Sequence, residues 1–445
     1  MPHAPVYPPL VRSSASGTRW PPAIWVLLLG TFAVRSAGFV YPFLSFRLAE
    51  LSLSTATVGY VLAAFGAGWL LGQLLCGWGA DRYGRRTTLV SAMAVATLAM
   101  PALAWTQSAA AVFAAALVAG VVYDAPRPIT TAVIADVFPT ESARTRVNAA
   151  RHFAVNVGAG LTGAAGGLLA HRIGTDTLFL LNGAVCGAFG IAALAVMPPD
   201  HHPRSKAPSL RSSAGGCGHA LRDGRLWLLW LASLAALTCC AAMFTALPML
   251  MYADGLAASS YGLTQVVAAI VVIALSPIIT PWLTHRAAVG APMTGLFATS
   301  SLLLGVGMGM AGLASTTPGY AVTVTLAVPG EIVLFIAASD ILNRISPADA
   351  RGLYAGIWGT TLAVAVIVSP LLAAWALDTG GGRLAGAAIL ACGLTGALLC
   401  VPLAALTRPE PVPGPPAAAS QSPHQVPELS GAGRLERHEG AFQGS

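Results

Sequence analysis

The chain is a succession of apolar runs, each about as long as a bilayer crossing, and that repetition restricts its fold more than any other feature. A crossing helix needs roughly 20 apolar residues. Twelve stretches reach that length: 22–46, 56–80, 88–106, 109–136, 148–170, 177–197, 226–252, 261–284, 290–313, 319–343, 351–376 and 384–407. Only 9% of the 445 residues are charged and 56% are hydrophobic, whereas charged residues make up about 25% of a soluble chain. Inside a bilayer every main-chain polar group must be paired within the protein, so runs of this length form helices. The expected fold is an all-α integral membrane protein with twelve transmembrane helices in two six-helix pseudo-symmetric bundles.

The polar stretch 198–225 is the longest interruption and divides the spans six and six. The expected organisation is an N-terminal tail (1–21), a first bundle (22–197), a cytoplasmic linker (198–225), a second bundle (226–407) and a disordered tail (408–445) rich in Pro, Gly, Ser and Glu. Two flanks echo one another: the fourth span exits through Asp136, Pro139 and Arg144, and the tenth through Arg344, Pro347 and Arg351, which implies a parallel repeat. If the N-terminus is inside, all but five of the 24 lysines and arginines fall on the cytoplasmic side; the exceptions are Arg35, Arg47, Arg127, Arg172 and Arg383. That bias predicts a multi-pass protein of the inner (plasma) membrane with both termini cytoplasmic. The net charge of +7 is then mostly topology, and no nucleic-acid partner is expected. Seven cysteines without paired ligand spacing support neither a disulfide framework nor a metal site.

Four ionisable residues fall well inside spans: Arg35, Asp124, Arg127 and Glu331. Each costs roughly 2.5–3.5 kcal/mol at the bilayer centre on insertion scales, so each is expected to face a cavity or a partner. Asp124 and Arg127 are three apart on one helix and can pair. Pro126 and Pro128 predict a local kink that frees carbonyls. Glu331 has no cation near it in sequence, which makes it the better candidate for carrying a proton, while Asp124 beside Arg127 should stay ionised. Tyr41, Tyr123, Met243, Phe244, Gln265 and Trp358 are available to line an apolar, aromatic-tolerant pocket. Small residues at four-residue spacing, Gly68, Gly72, Cys76 and Ala80 in the second span and Gly163 with Gly167 in the fifth, predict close backbone seams between the halves.

Between the second and third spans lies GWGADRYGRRTT, running from Gly77 through Asp81, Arg82, Gly84, Arg85 and Arg86. Asp81 ends a helix, where its charge meets the negative end of the macrodipole and needs a positive partner. The eleventh span, beginning near Gly352 on the same side, would present the positive end of its own dipole. Such a contact can latch one conformation. The spacing Gly-x-x-x-Asp-Arg-x-Gly-Arg-Arg resembles the loop signature of the major facilitator superfamily, secondary transporters of two six-helix halves. The second half retains only Trp282, His285 and Arg286 of a corresponding motif. The first span with Arg35 and Pro42, the tract from Arg351 to Gly356, and Pro329-Gly330-Glu331 resemble bacterial drug/proton antiporter members. Where antiporters often carry Gly-Pro in the fifth span, this chain has Thr162 and Gly163, after Asn156 and Gly158.

The resemblance implies a monomeric, cofactor-free secondary transporter working by alternating access, with a small-molecule substrate, protons and the lipid bilayer as its partners. Proton-coupled efflux of drug-like or amphipathic compounds is the expected activity. Proton-coupled uptake of a small metabolite, and a non-transporting membrane sensor that kept the fold, are the alternatives. There is no His-Glu-x-x-His run, Gly-x-Ser-x-Gly elbow or phosphate-binding loop, so no enzyme activity is expected.

Overall fold

A computed structural model describes residues 20–138, 140–200, 220–347 and 350–407. The N-terminal tail, most of the linker with Cys217, and the C-terminal tail lie outside the described residues. The rest is helical: α1 (Pro22–Ser36), α2 (Val40–Glu50), α3 (Thr55–Arg82), α4 (Arg85–Trp105), α5 (Ala109–Tyr123), α6 (Pro126–Val137) and α7 (Glu141–Val196) precede the linker. After it come α8 (Gly224–Ala242), α9 (Ala246–Ala253), α10 (Ala258–Ala288), α11 (Thr294–Met310), α12 (Thr317–Ile345) and α13 (Arg351–Leu406).

Eleven helical stretches are long and apolar enough to cross a membrane. The last of them, Leu353–Leu406, spans 54 residues and is broken at Gly381, whose φ of 67° only glycine adopts without strain. Gly174, at φ 80°, breaks α7 in the same way. The outward faces carry exposed Leu29, Leu98, Ile191, Ile270 and Leu398, side chains suited to acyl chains and costly against water.

Among the described residues long apolar helices cover the expected spans outside the masked positions, but three of those spans are not continuous helices. The first breaks between α1 and α2 at Ala37–Phe39, the fourth between α5 and α6 at Asp124–Ala125, and the seventh between α8 and α9 at Met243–Thr245. The sequence signal lies downstream: Pro42, Pro128 and Pro248 each follow by four residues a position inside the break, Gly38, Asp124 and Phe244. A proline offers no N–H to the carbonyl four residues back, and its ring crowds that carbonyl. Neighbouring side chains then reach the main chain at each break. Thr162 donates to the Arg35 carbonyl, Gln73 Nε2 to the Asp124 carbonyl at 3.2 Å, and Tyr261 Oη and Gln265 Nε2 to the Met243 carbonyl at 3.3 Å each.

Small residues set the helix contacts, though not all where expected. A Cβ on Gly68 or Gly72 would meet the backbone of Leu117 or Val121 of α5 at 2.1 or 1.9 Å, so that seam lies within the first half. The contact of α3 with the second half uses Gly59 against Ala374 and Pro370, and Gly66 against Ile367. Gly163 and Gly167 do meet the second half, at Gln265 and Gly262 of α10. These contacts lie toward the face opposite the linker. A Cβ on Gly77, Gly356 or Gly359 would meet nothing within 4 Å.

The loop after α3 is built on Gly84. Its φ is 101°, and a Cβ there would stand 2.1 Å from Asp200 Cγ. Asp200, just past α7, accepts hydrogen bonds from the main-chain N–H groups of Arg86 (3.0 Å) and Thr87 (2.7 Å), capping the start of α4. Asp223 does the equivalent work for α8: it accepts from the Arg225 main chain at 2.9 Å and from the Tyr354 hydroxyl of α13 at 2.8 Å. Burial pushes the Asp223 carboxyl up, but hydrogen bonds from Arg225 and Tyr354 outweigh it and hold the group below the usual carboxylate range.

Gly84→Ala should lower the amount of folded protein and its melting temperature by moving Asp200 off two main-chain donors; a melting curve identical to the parent would show that the cap tolerates a side chain. The Asp223 contribution to stability is fully present above the ordinary carboxylate pKa of about 3.9 and is lost as pH falls through its lower folded value. The melting gap between the parent and Asp223→Asn should therefore be widest near neutrality and close on acidification; a gap independent of pH would contradict the assignment.

Candidate functional site

The three breaks converge on one cavity of about 190 Å³. Arg35, Gly38 and Tyr41 reach it from the first break, Tyr123 and Arg127 from the second, and Cys240, Ala241 and Phe244 from the third, with Trp69 of α3, Gln265 of α10 and Glu331 of α12 closing the wall. A wider depression of about 550 Å³ lies at the face opposite the linker, among Phe46, Glu50, Thr175 and Tyr252. It does not include Arg35, Asp124, Arg127 or Glu331, so these charges belong to the smaller cavity.

Asp124 is the centre of the charged cluster. Its side chain is 6% exposed, and its two oxygens are shared: Oδ1 accepts from Arg35 Nη2 at 2.6 Å, and Oδ2 lies 2.7 Å from Arg127 Nε. The expected Asp124–Arg127 pair is present. Arg35, from the first span, joins it, which local spacing alone could not show. Arg35 also lies over the Tyr123 ring at 5.3 Å and Arg127 over Trp69 at 6.0 Å, placing each guanidinium against the negative face of an aromatic ring.

Half-buried Glu331 of α12 lines the same cavity, as does Cys240 of α8. Among the described residues Glu331 has no ion pair, as its sequence neighbourhood predicts. Of the residues anticipated as pocket lining, Tyr41, Tyr123, Phe244 and Gln265 face the cavity. Trp358 does not; its indole donates to Ser233 at 3.0 Å within the second half. Met243 is buried and contributes its carbonyl rather than its side chain.

Trp69, Tyr261 and Thr162 were not legible as site residues, because nothing in their local sequence separates them from packing positions. Arg151 was assigned to a cytoplasmic loop, but it lies within α7 and interacts electrostatically with Arg127, Asp124 and Arg35. Its spacing from Val155 and Ala159, both in the cavity wall, was the available signal.

The loop motif forms a separate cluster on the linker face. Asp81 is paired with Arg85 Nη1 at 2.5 Å, and Arg85 Nε reaches Asp136 of α6 at 3.3 Å. Arg82 lies over the rings of Trp78 and Tyr83 at 5.8 and 5.9 Å, and Arg86 Nη2 donates to the Leu194 carbonyl. Every partner belongs to the first half. Among the described residues Asp81 has its positive partner in Arg85; at the start of the eleventh span the side chain of Arg351 lies outside the described residues, as does that of Asn156.

The family model described as Major Facilitator Superfamily matches residues 25–337. A probable galactarate/D-glucarate transporter of Bacillus subtilis is 27% identical over 179 residues, covering 38% of this chain and 38% of the relative. An uncharacterized MFS-type transporter of Mycobacterium tuberculosis is 28% identical over 186 residues, covering 41% of this chain and 32% of its own length. The matched stretch therefore spans about a third of the length of these curated relatives. Among solved structures, a point mutant of the nucleoside transporter NupG aligns with a TM-score of 0.70 at 13% identity, covering 87% of this chain and 100% of that one. A peptide transporter POT in complex with sulfate aligns with a TM-score of 0.69 at 15% identity, covering 87% and 94%. Those likenesses show the fold. Together with the family match over most of the membrane portion, they establish that the chain belongs to the Major Facilitator Superfamily.

Proposed function

We propose that this chain is a proton-coupled secondary transporter of a small metabolite, working by alternating access with twelve spans in two six-helix halves, and with uptake as its physiological direction. The observation that carries this reading is the placement of a half-buried acid without an ion pair, Glu331, in one central cavity with Arg35 and Arg127. An acid in that position can exchange a proton with whichever membrane face the cavity meets. Asp124, held between two guanidinium groups, positions them. The groups facing Glu331 from the elements around it are Cys240, Tyr41, Tyr123, Arg35 and Arg127.

Drug efflux, the activity expected from the sequence, has less support. A cavity of about 190 Å³ falls below the roughly 300–1,000 Å³ typical of drug-sized ligands. The probable galactarate/D-glucarate transporter among the relatives likewise favours a small polar metabolite. The aromatic wall of Tyr41, Trp69, Tyr123 and Phe244 keeps efflux of amphipathic compounds as the second reading. Family membership makes the chain a transporter and not an enzyme.

The contacts of Gly59, Gly66, Gly163 and Gly167 with helices that follow the linker support a conformation closed at the face opposite the linker. With both termini and the linker in the cytoplasm, as the basic-residue bias favours, the cavity is inward-facing. The Asp81–Arg85–Asp136 relay then holds the linker-side ends of the first half together, and closure of that face would bring the eleventh span toward Asp81.

In vesicles with an imposed pH gradient, Glu331→Gln should reduce gradient-driven accumulation at least tenfold while leaving counterflow exchange intact; accumulation at the parent level would remove Glu331 from the coupling path. Asp81→Asn should slow transport severalfold at normal abundance. The Asp81 side chain is 75% exposed, and an exposed pair contributes only about 0–1 kcal/mol to stability. Cysteine labelling from the two membrane faces checks this: full transport with an unchanged ratio of inward to outward labelling would eliminate the latch.

A further inference from the structure

The charged cluster does not balance. Two guanidinium groups, those of Arg35 and Arg127, hold one carboxylate, that of Asp124, and a third, that of Arg151, lies near enough to interact with all three electrostatically. Arg35 is satisfied by Asp124 at 2.6 Å. Arg127 faces Asp124 through Nε, its side chain is 40% exposed in the cavity wall, and among the described residues its two terminal nitrogens have no hydrogen-bond acceptor. Arg151 has no ion pair among the described residues, and its Nε is buried without a hydrogen-bond partner. It precedes Val155 and Ala159 at four-residue steps on α7, so it stands on the cavity face about one turn toward the linker side. Positive charge held in this depth of membrane without a counter-charge is unfavourable.

A second observation points to what completes the site. Tyr41 is 7% exposed, lines the cavity, and its hydroxyl has no hydrogen-bond partner. Its ring belongs to an aromatic group with Trp69 (centroids 5.9 Å apart), Tyr123 (5.7 Å) and Phe244 (6.0 Å). The site therefore offers two under-used guanidinium groups at one end, an unsatisfied hydroxyl in the middle and flat apolar walls beside them.

We propose that the cavity binds an organic carboxylate with a planar apolar body, its carboxylate seated on Arg127 and drawn in past Arg151, its body against Trp69 and Phe244 within reach of the Tyr41 hydroxyl. A guanidinium fork matches a carboxylate in geometry as well as charge, and the aromatic walls exclude water from the ion pair and strengthen it. The inference rests on the reading of this cavity as the transport site.

The test is direct binding to the purified protein of three probes with one skeleton, hydrocinnamate, hydrocinnamamide and 3-phenylpropylamine, with inorganic sulfate as a fourth. Hydrocinnamate should bind at least tenfold more tightly than the amide, with the amine weakest. Sulfate should bind at least tenfold more weakly than hydrocinnamate. Arg127→Gln, which leaves Asp124 its bond to Arg35, and Arg151→Gln should each reduce hydrocinnamate binding at least tenfold without altering the amide. Arg127→Lys should recover part of the loss. Equal binding of acid and amide by the parent protein, preference for the amine, or sulfate binding as tight as hydrocinnamate would each overturn the proposal without recourse to any variant. Hydrocinnamate binding with no proton-driven movement would refute proton coupling and leave the anion site standing. Proton-driven movement of a neutral or cationic substrate with no anion preference would do the reverse.

Discussion

The carboxylate of Asp124 is the interaction on which the centre of this molecule depends. It ties the end of α1 to the start of α6 through Arg35 and Arg127, at 2.6 and 2.7 Å, joining two spans that are each broken at that depth. Removing one member of a buried pair costs about 3–5 kcal/mol because the other is left charged and unpaired. Here the loss of Asp124 would strand two cations at once. The cluster is consequently both the scaffold of the cavity and the source of its excess positive charge, and stability and ligand selectivity cannot be altered independently there.

The helix breaks that present these groups have a single chemical origin. A continuous helix buries its carbonyls in its own ladder and offers a ligand only side chains. Proline at 42, 128 and 248 interrupts that ladder four residues upstream, at Gly38, Asp124 and Phe244, and in or beside these breaks the carbonyls of Arg35, Asp124 and Met243 accept from Thr162, Gln73, Tyr261 and Gln265. The donors come from other helices, so each break also fixes its neighbours. Pro329 in α12 does not break its helix, which remains continuous from Thr317 to Ile345. Proline alone therefore does not decide the outcome; an available side-chain donor accompanies each interruption.

The run of membrane-spanning helices was legible in the sequence because span length and apolarity are local quantities. The pairing of Asp124 with Arg127 was legible for the same reason, a separation of three on one helix. Arg35 could be assigned to the membrane but not to Asp124, since 89 residues separate them. Gly68 and Gly72 announced a close seam without saying which helix met them, and it proved to be α5 and not the second half. Arg151 was misread because a charge near the end of an apolar run looks like loop. Only its register with Val155 and Ala159 places it on the cavity face.

The two halves also depart from one another in a way that bears on mechanism. Asp136 and Arg344 occupy corresponding places before Pro139 and Pro347, yet they carry opposite charges. Asp136 receives Arg85 from the loop after α3, whereas Arg344 pairs with Asp340 at 2.6 Å and donates to the Gly290 and Ala291 carbonyls at 2.9 and 3.0 Å. The linker-side ends before and after the linker are thus fastened by different chemistry. The same division holds at the cavity, where the guanidinium groups belong to the first half and Glu331 to the second. On the proposed reading, rocking one half against the other changes chiefly the separation between Glu331 and that positive cluster. A carboxylate brought nearer to cations favours release of its proton, and one moved away favours retention. Coupling then requires no dedicated relay, because the motion that changes access also changes the acid's electrostatic surroundings.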